Sequence, residues 1–240
     1  MNPRTTFETF VVGPSNQLAC AASFAVAQSQ AHACNPLFIH GAAGTGKSHL
    51  MQAIEHGILQ RNPETRVTYL SAEKFTNEYI RAIQENALPR FRRRYHTLDA
   101  LLLDDIQYLP SEEHAPNGFF QTLNNLFEER RQVVLSADRS AANISQLTLS
   151  LLMHIERGLS VEIQPPDLAS RIAILQAKAA IGKMSLPAPV IEFIAQRLKK
   201  NIRCLEGALF KVSSYAASTG KPIDLPAAES LLTDMLIEEI

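Results

Sequence analysis

The sequence predicts an α/β fold, a mostly parallel five-stranded sheet with helices on both faces, followed by a small all-helical domain. Three observations carry this. Short apolar runs alternate with helix-period stretches up to about residue 164, Pro165-Pro166-Asp167 breaks the pattern, and no convincing strand follows. Single strands alternating with single helices argue right-handed crossovers between parallel neighbours.

Five runs read as buried strands: Leu37-Phe38-Ile39, Val67-Thr68-Tyr69-Leu70, Leu101-Leu102-Leu103, Val133-Val134-Leu135 and Leu159 to Ile163. Leu50, Ile54 and Ile58 fall four apart after the first, and Phe75, Tyr79 and Ile83 do the same after the second. Phe119, Leu123 and Leu126-Phe127 form a third apolar face before the fourth strand. Pro-Pro stops the fifth strand, and Asp167 supplies an N-cap for a helix through Arg171, Ile174 and Leu175. Further helices are expected at about 187–199, 202–218 and 226–238, with Gly182 and Gly220 at helix stops. The expected domains are 1–164 and 165–240.

The 240 residues are 46% hydrophobic and 20% charged, which excludes collagenous, coiled-coil and disordered classes. Lys and Arg number 23 against 24 Asp and Glu, so any nucleic-acid contact must be a local patch rather than an overall field. Cys20, Cys34 and Cys204 lack metal-ligand spacing and are expected as buried small hydrophobes in a reducing compartment. No apolar run approaches the ~20 residues of a membrane span, and no signal peptide opens the chain. A cytoplasmic protein without a membrane segment is expected.

Gly41-Ala42-Ala43-Gly44-Thr45-Gly46-Lys47-Ser48 fits G-x-x-x-x-G-K-[ST] between a predicted strand and a predicted helix, the setting of a P-loop. Its glycines let backbone N–H groups surround a triphosphate, and the helix N-terminus favours the negative charge. ATP or ADP with Mg²⁺ is the expected ligand: Gly41, Gly44, Gly46 and Lys47 on the phosphates, Ser48 on the metal, and His49 beside them. Leu101-Leu102-Leu103-Asp104-Asp105 places two carboxylates at a strand end. Asp104 is expected to hold Mg²⁺ through water and Asp105 to orient the attacking water. Asp138, in Ser136-Ala137-Asp138-Arg139 after the next strand, is expected beside the γ-phosphate.

Further stretches resemble the AAA+ ATPase core of the bacterial chromosomal replication initiators, the DnaA family. The opening Asn2-Pro3-Arg4 with Thr6-Phe7 and Thr9-Phe10-Val11-Val12-Gly13 is similar to that core's start. So are Tyr69-Leu70-Ser71-Ala72-Glu73-Lys74-Phe75-Thr76-Asn77-Glu78, Leu103-Asp104-Asp105-Ile106-Gln107 and Gln164-Pro165-Pro166-Asp167-Leu168 to their counterparts. Asn201-Ile202-Arg203 with Leu205-Glu206-Gly207-Ala208-Leu209 resembles the sensor-2 helix. The resemblance implies that Val12 packs near the adenine and that Arg203 reaches the nucleotide from the helical lid. It also implies an extra helix pair that binds single-stranded DNA, here Phe75 through Arg94, with Ile80 as an apolar contact. Arg90, Arg92, Arg93 and Arg94 beside Phe91 and Tyr95 suit a phosphate backbone with bases stacked nearby. The later basic partner is replaced by His114.

The largest departure lies at Leu147–Ile155. Where the family carries an arginine finger for the neighbouring subunit's γ-phosphate, this chain has His154, with Ser150 and Leu152 replacing other basic positions. A neutral imidazole cannot act as a guanidinium. Arg157, three residues on, is expected on a different face. Weak ATPase activity at best is therefore expected.

The function expected is an ATP-binding initiator core that engages origin or single-stranded DNA and other initiator subunits. The alternative is a DnaA-homologous regulator that binds initiator or replisome components without opening DNA, and a helicase loader fits these motifs less well. No duplex-reading segment is seen in the sequence, as expected of an excised core or a short paralogue.

Overall fold

A computed structural model describes residues 5–28, 34–199, 201–220 and 223–238. The chain forms two compact units. One takes in the chain up to Phe10, Leu18–Ala42 and Lys47–Ile163; the other takes in Val11–Gln17, Ala43–Gly46 and the chain from Gln164.

The first unit is built on β1 (Leu37–His40), β2 (Val67–Ser71), β3 (Ala100–Asp104), β4 (Gln132–Ala137) and β5 (Leu159–Glu162), ordered β2-β3-β4-β1-β5. Every pairing is parallel. Successive strand side chains point to opposite faces. Phe38, Leu101, Leu103, Val133 and Leu135 therefore meet α3 (Ala72–Gln84), α4 (Leu88–His96), α5 (Phe119–Glu128) and α6 (Leu149–Arg157). Leu37, Ile39, Leu102, Val134 and Val161 pack on the other face, against α1 (Gln17–Ala27) and α2 (Lys47–Arg61). Each of these fully buried side chains contributes about 1.5–3 kcal/mol, which is why the strands read as continuous apolar runs.

Phe75, Tyr79, Phe91, Tyr95 and Phe119 form one aromatic cluster, with neighbouring ring centroids from 4.5 to 5.7 Å apart. Ile83, expected on the same face as Phe75 and Tyr79, is 39% exposed because α3 ends one residue later, past the cluster. α4 begins after Ala87 with Pro89 in its first turn, where the missing N–H costs nothing. The cysteines are half-buried rather than buried, and none forms a disulfide.

The second unit holds α7 (Leu168–Ile181), α8 (Ala188–Arg197), α9 (Ile202–Thr219) and α10 (Leu225–Glu238). Asp167 caps α7 by accepting from the Ser170 N–H at 2.8 Å. Gly220 closes α9 at φ +66°, a conformation glycine adopts without strain. Arg171 is buried, and its guanidinium donates to the carbonyls of Ala195 and Pro166, both at 2.7 Å. Its charge is thus spread over backbone acceptors that tie α7 to α8.

Candidate functional site

The carboxyl ends of β1, β3 and β4 lie side by side, the edge where open parallel sheets bind ligands. β1 ends at His40 and the chain turns at once. Gly41 sits at φ +147°, where a Cβ would collide with the Ile163 carbonyl, and its N–H donates to Ala137 O at 3.3 Å. Gly44 and Gly46 also have positive φ, and a Cβ on Gly44 would collide with the Asn201 side chain. The Ile202 N–H at the start of α9 donates to Gly44 O at 3.0 Å. α2 begins at Lys47, whose side chain is only 7% exposed and donates to Gly41 O at 2.6 Å and Ala42 O at 2.9 Å. The ammonium thus spans the loop's entry, and a loop of this conformation suits a polyphosphate.

Asp104 closes β3 as a buried carboxylate with a donor on each oxygen. Tyr69 Oη donates to Oδ2 at 2.8 Å, and the buried Ser136 hydroxyl donates to Oδ1. Burial first, then the Asp104 charge, pushes the Tyr69 phenol well above its ordinary pKa, so it remains a donor. Asp105 is left-handed, at φ 60° and ψ 54°, a conformation costing roughly 1–2 kcal/mol outside glycine. Its neighbours hold it there: its N–H donates to Ser136 Oγ at 2.9 Å, and its carboxylate accepts from Gln107 Nε2 at 3.0 Å. Gln107 Oε1 accepts from the Asp138 N–H at 3.3 Å, linking the ends of β3 and β4. Arg139 grips Asp138 at 2.7 and 2.8 Å, and that bond holds the Asp138 carboxyl below its usual range.

Ser48 and Asp104 are hard oxygen donors of the kind magnesium takes. No group of three or more His, Cys, Asp or Glu that could hold a metal occurs among the described residues. Two protein donors suit a cation that completes its shell with phosphate oxygens and water, so the residues fit a nucleotide-borne metal.

His49 meets the N-terminal segment. Its Nε2 lies 2.9 Å from Thr6 O and 3.3 Å from Thr9 Oγ1, and its ring meets Phe10 edge-on at 5.2 Å. It fastens the N-terminal segment to α2. Val12 and Arg203 both belong to the second unit and are exposed. Asn201 caps α9 by accepting from the Arg203 N–H at 2.8 Å. Tyr69 and Gln107 were not among the residues picked out for the site. A tyrosine inside an apolar strand run needs a hydrogen-bond partner for its hydroxyl, which is the signal for the half-buried Tyr69; nothing in the spacing points to Gln107.

The basic stretch 90–94 differs from its sequence reading. Phe91 and Tyr95 are buried in the aromatic cluster, so they offer no surface for stacking bases. At about 100° per residue, Arg90, Arg93 and Arg94 share one side of α4. Arg92 lies apart, against Gly118. Arg94 pairs with Glu78 at 3.1 Å. Ile80 is 39% exposed, and His114 Nδ1 lies 2.7 Å from Ser111 Oγ.

At 147–155 the apolar run is explained by packing. Leu151 and Ile155 are buried against the same core as α5, with half-buried Leu147 a turn before them, while Leu149 and Met153 stay 72% and 46% exposed. His154 stacks flat on Phe127, with centroids 4.4 Å apart and planes at 10°. Burial, and then the Arg157 charge, holds His154 below its ordinary pKa, against the opposite pull of Glu128. Arg157 was expected on a different face; in α6 it lies one turn along from His154, near enough for its charge to act on the ring.

A glycine loop after β1 and the Asp104-Asp105 pair at the end of β3, either side of β4, place the first unit in the AAA+ class of P-loop ATPase folds. Within that class the relatives are specific. Residues 1–162 match the bacterial DnaA ATPase domain, and the chain belongs to that family. It is 45% identical, over 239 residues, to the chromosomal replication initiator protein DnaA of Thermodesulfovibrio yellowstonii. That match covers 100% of this chain and 55% of the relative, so the chain spans about half the length of that curated protein. A crystal structure of domain III of Thermotoga maritima DnaA has a TM-score of 0.93 at 37% identity, covering 98% of both chains. A replication initiator DnaA bound to AMPPCP and single-stranded DNA has a TM-score of 0.80 at 30% identity, covering 99% of this chain and 70% of that one. No helix among the described residues is long and apolar enough to cross a membrane.

Proposed function

We propose that this chain is the nucleotide-binding core of a DnaA-type replication initiator, taking ATP or ADP with magnesium and associating with other initiator subunits. The observation that carries the reading is the hydrogen-bonded Asp104–Ser136–Asp105 arrangement at the end of the same sheet whose β1 runs into a glycine loop held by Lys47. The AMPPCP in the DnaA structure at TM-score 0.80 supports the choice of an adenine nucleotide. Magnesium, when bound, would neutralise phosphate charge. Lys47 would bind the β and γ oxygens, Asp105 would orient water, and Asp138, fixed by Arg139 and Gln107, would line the γ-phosphate end. Arg203 would approach the nucleotide from the helical domain, beginning at residue 165.

Hydrolysis is weak in this reading because His154 is stacked on Phe127 and kept neutral, so it offers no cation to a neighbouring nucleotide. The same observation favours a second role, a regulator that joins an initiator assembly without completing its neighbour's site. Single-stranded DNA would bind weakly, through Arg90, Arg93 and Ile80, with Arg94 already committed to Glu78 and Arg92 set apart.

Fluorescent-nucleotide titration of the parent and Lys47→Ala tests the nucleotide assignment. The parent binds and the variant loses binding by at least a hundredfold; equal affinity in the two would refute the P-loop assignment. Sizing with and without a full-length initiator from the same source separates the two roles. Without a finger neither assembles with ATP alone; a core extends the initiator's ATP-dependent assembly, whereas a regulator binds the initiator and limits that assembly.

A further inference from the structure

We infer that Tyr69 is a positioning residue for the divalent cation that accompanies the nucleotide, holding the Asp104 carboxylate toward Ser48; this rests on the nucleotide-site reading above. Tyr69 lies within β2, with Leu102 of β3 as its register partner. Side chains on one strand face repeat every second residue, so Tyr69, Leu102 and Asp104 all emerge on the face that α2 covers. Ser48 and Gln52 lie at the start and one turn along that helix.

The phenol oxygen donates to Asp104 Oδ2 at 2.8 Å, and Gln52 and Ser48 are close enough to act on it. One hydroxyl therefore bonds the carboxylate assigned to the metal and lies near the assigned serine. Ser136 holds the other oxygen of the same carboxylate. With a donor on each oxygen the carboxylate cannot rotate, and each oxygen keeps a lone pair for the metal or its water. Outer hydrogen bonds of this kind tune metal affinity by about 10- to 100-fold. The Tyr69 ring packs against the α2-side core, so Tyr69→Phe removes the hydroxyl and leaves the packing.

The test is nucleotide affinity of the parent and Tyr69→Phe, each in excess magnesium and in EDTA. Metal-free affinity stays within about twofold of the parent, while the enhancement by magnesium falls about tenfold. A purely structural role would lower both affinities together. An unchanged enhancement in Tyr69→Phe, a fall in both affinities, or no enhancement in the parent overturns the inference. Failure of the nucleotide reading itself is distinct: the parent and Lys47→Ala then bind alike. Fluorotyrosine labelling of the otherwise native chain gives a second readout that does not depend on a variant folding. The Tyr69 fluorine resonance shifts when magnesium is added to the nucleotide-bound protein; a resonance indifferent to magnesium overturns the inference.

Discussion

Ser136→Ala isolates the hydroxyl that joins the Asp104 carboxylate to the Asp105 backbone amide. Ser136 is buried at the end of β4, donates to Asp104 Oδ1 and accepts from the Asp105 N–H. Alanine fits the space but leaves one partly buried amide and one buried carboxylate oxygen without that partner. Each such loss costs about 1–3 kcal/mol. The Asp105 amide is only partly buried and Asp104 keeps Tyr69, so the sum lies near the low end, about 2–4 kcal/mol. For a domain of this size that lowers the unfolding midpoint by roughly 4–16 °C. Tyrosine emission reports it: the chain has no Trp and 5 Tyr, and Tyr69, Tyr79, Tyr95 and Tyr108 all lie in the first unit. Combined with Asp104→Asn, the two losses are non-additive, coupled by about 1 kcal/mol or more. A loss below about 0.5 kcal/mol, or full additivity, would show that the hydroxyl does not carry both bonds.

Three further outcomes follow from the same contacts. On the proposed reading, His154→Arg supplies a guanidinium where the resemblance places the finger and raises ATP turnover and ATP-dependent self-assembly, with up to about 10³-fold at stake in turnover; if the parent already assembles with ATP as readily, either that placement is wrong or another residue, Arg157 being the nearest, has taken the role, and loss of assembly in Arg157→Ala identifies the latter. Arg90→Ala with Arg93→Ala weakens single-stranded DNA binding and flattens its salt dependence, whereas Arg92→Ala changes neither; equal effects, measured by anisotropy at several salt concentrations, would refute the one-sided stripe. The Asp99 carboxyl is held below its ordinary pKa by Arg66, which donates to it from both guanidinium and backbone. Its folded pKa is depressed, so its contribution to stability is full above the ordinary carboxylate range and lost as pH falls through the folded value. The gap in urea midpoint between the parent and Asp99→Asn therefore closes as pH falls below the ordinary carboxylate range, about pH 4; a gap constant with pH would contradict this.

The sequence by itself determined the order of elements and the phosphate loop, because both are written in local signals. Strands buried on both faces read as apolar runs, and the loop needs glycines at fixed spacing before Lys47. Asp167 and Gly220 announced helix ends for the same reason, since a cap acts within one turn. Three things belonged to the tertiary structure. Phe91 and Tyr95 look like neighbours of the arginines along the chain, yet a helix turns them into the core while the arginines face outward. The apolar run at 147–155 has no purpose until α5 lies beside it and Phe127 meets His154. Tyr69, Ser136 and Gln107 sit far from one another or from their partners in sequence and meet only because β2, β3 and β4 are adjacent and in register. Hydrogen bonds between strand ends depend on strand order and register, and neither quantity is local to any stretch of residues.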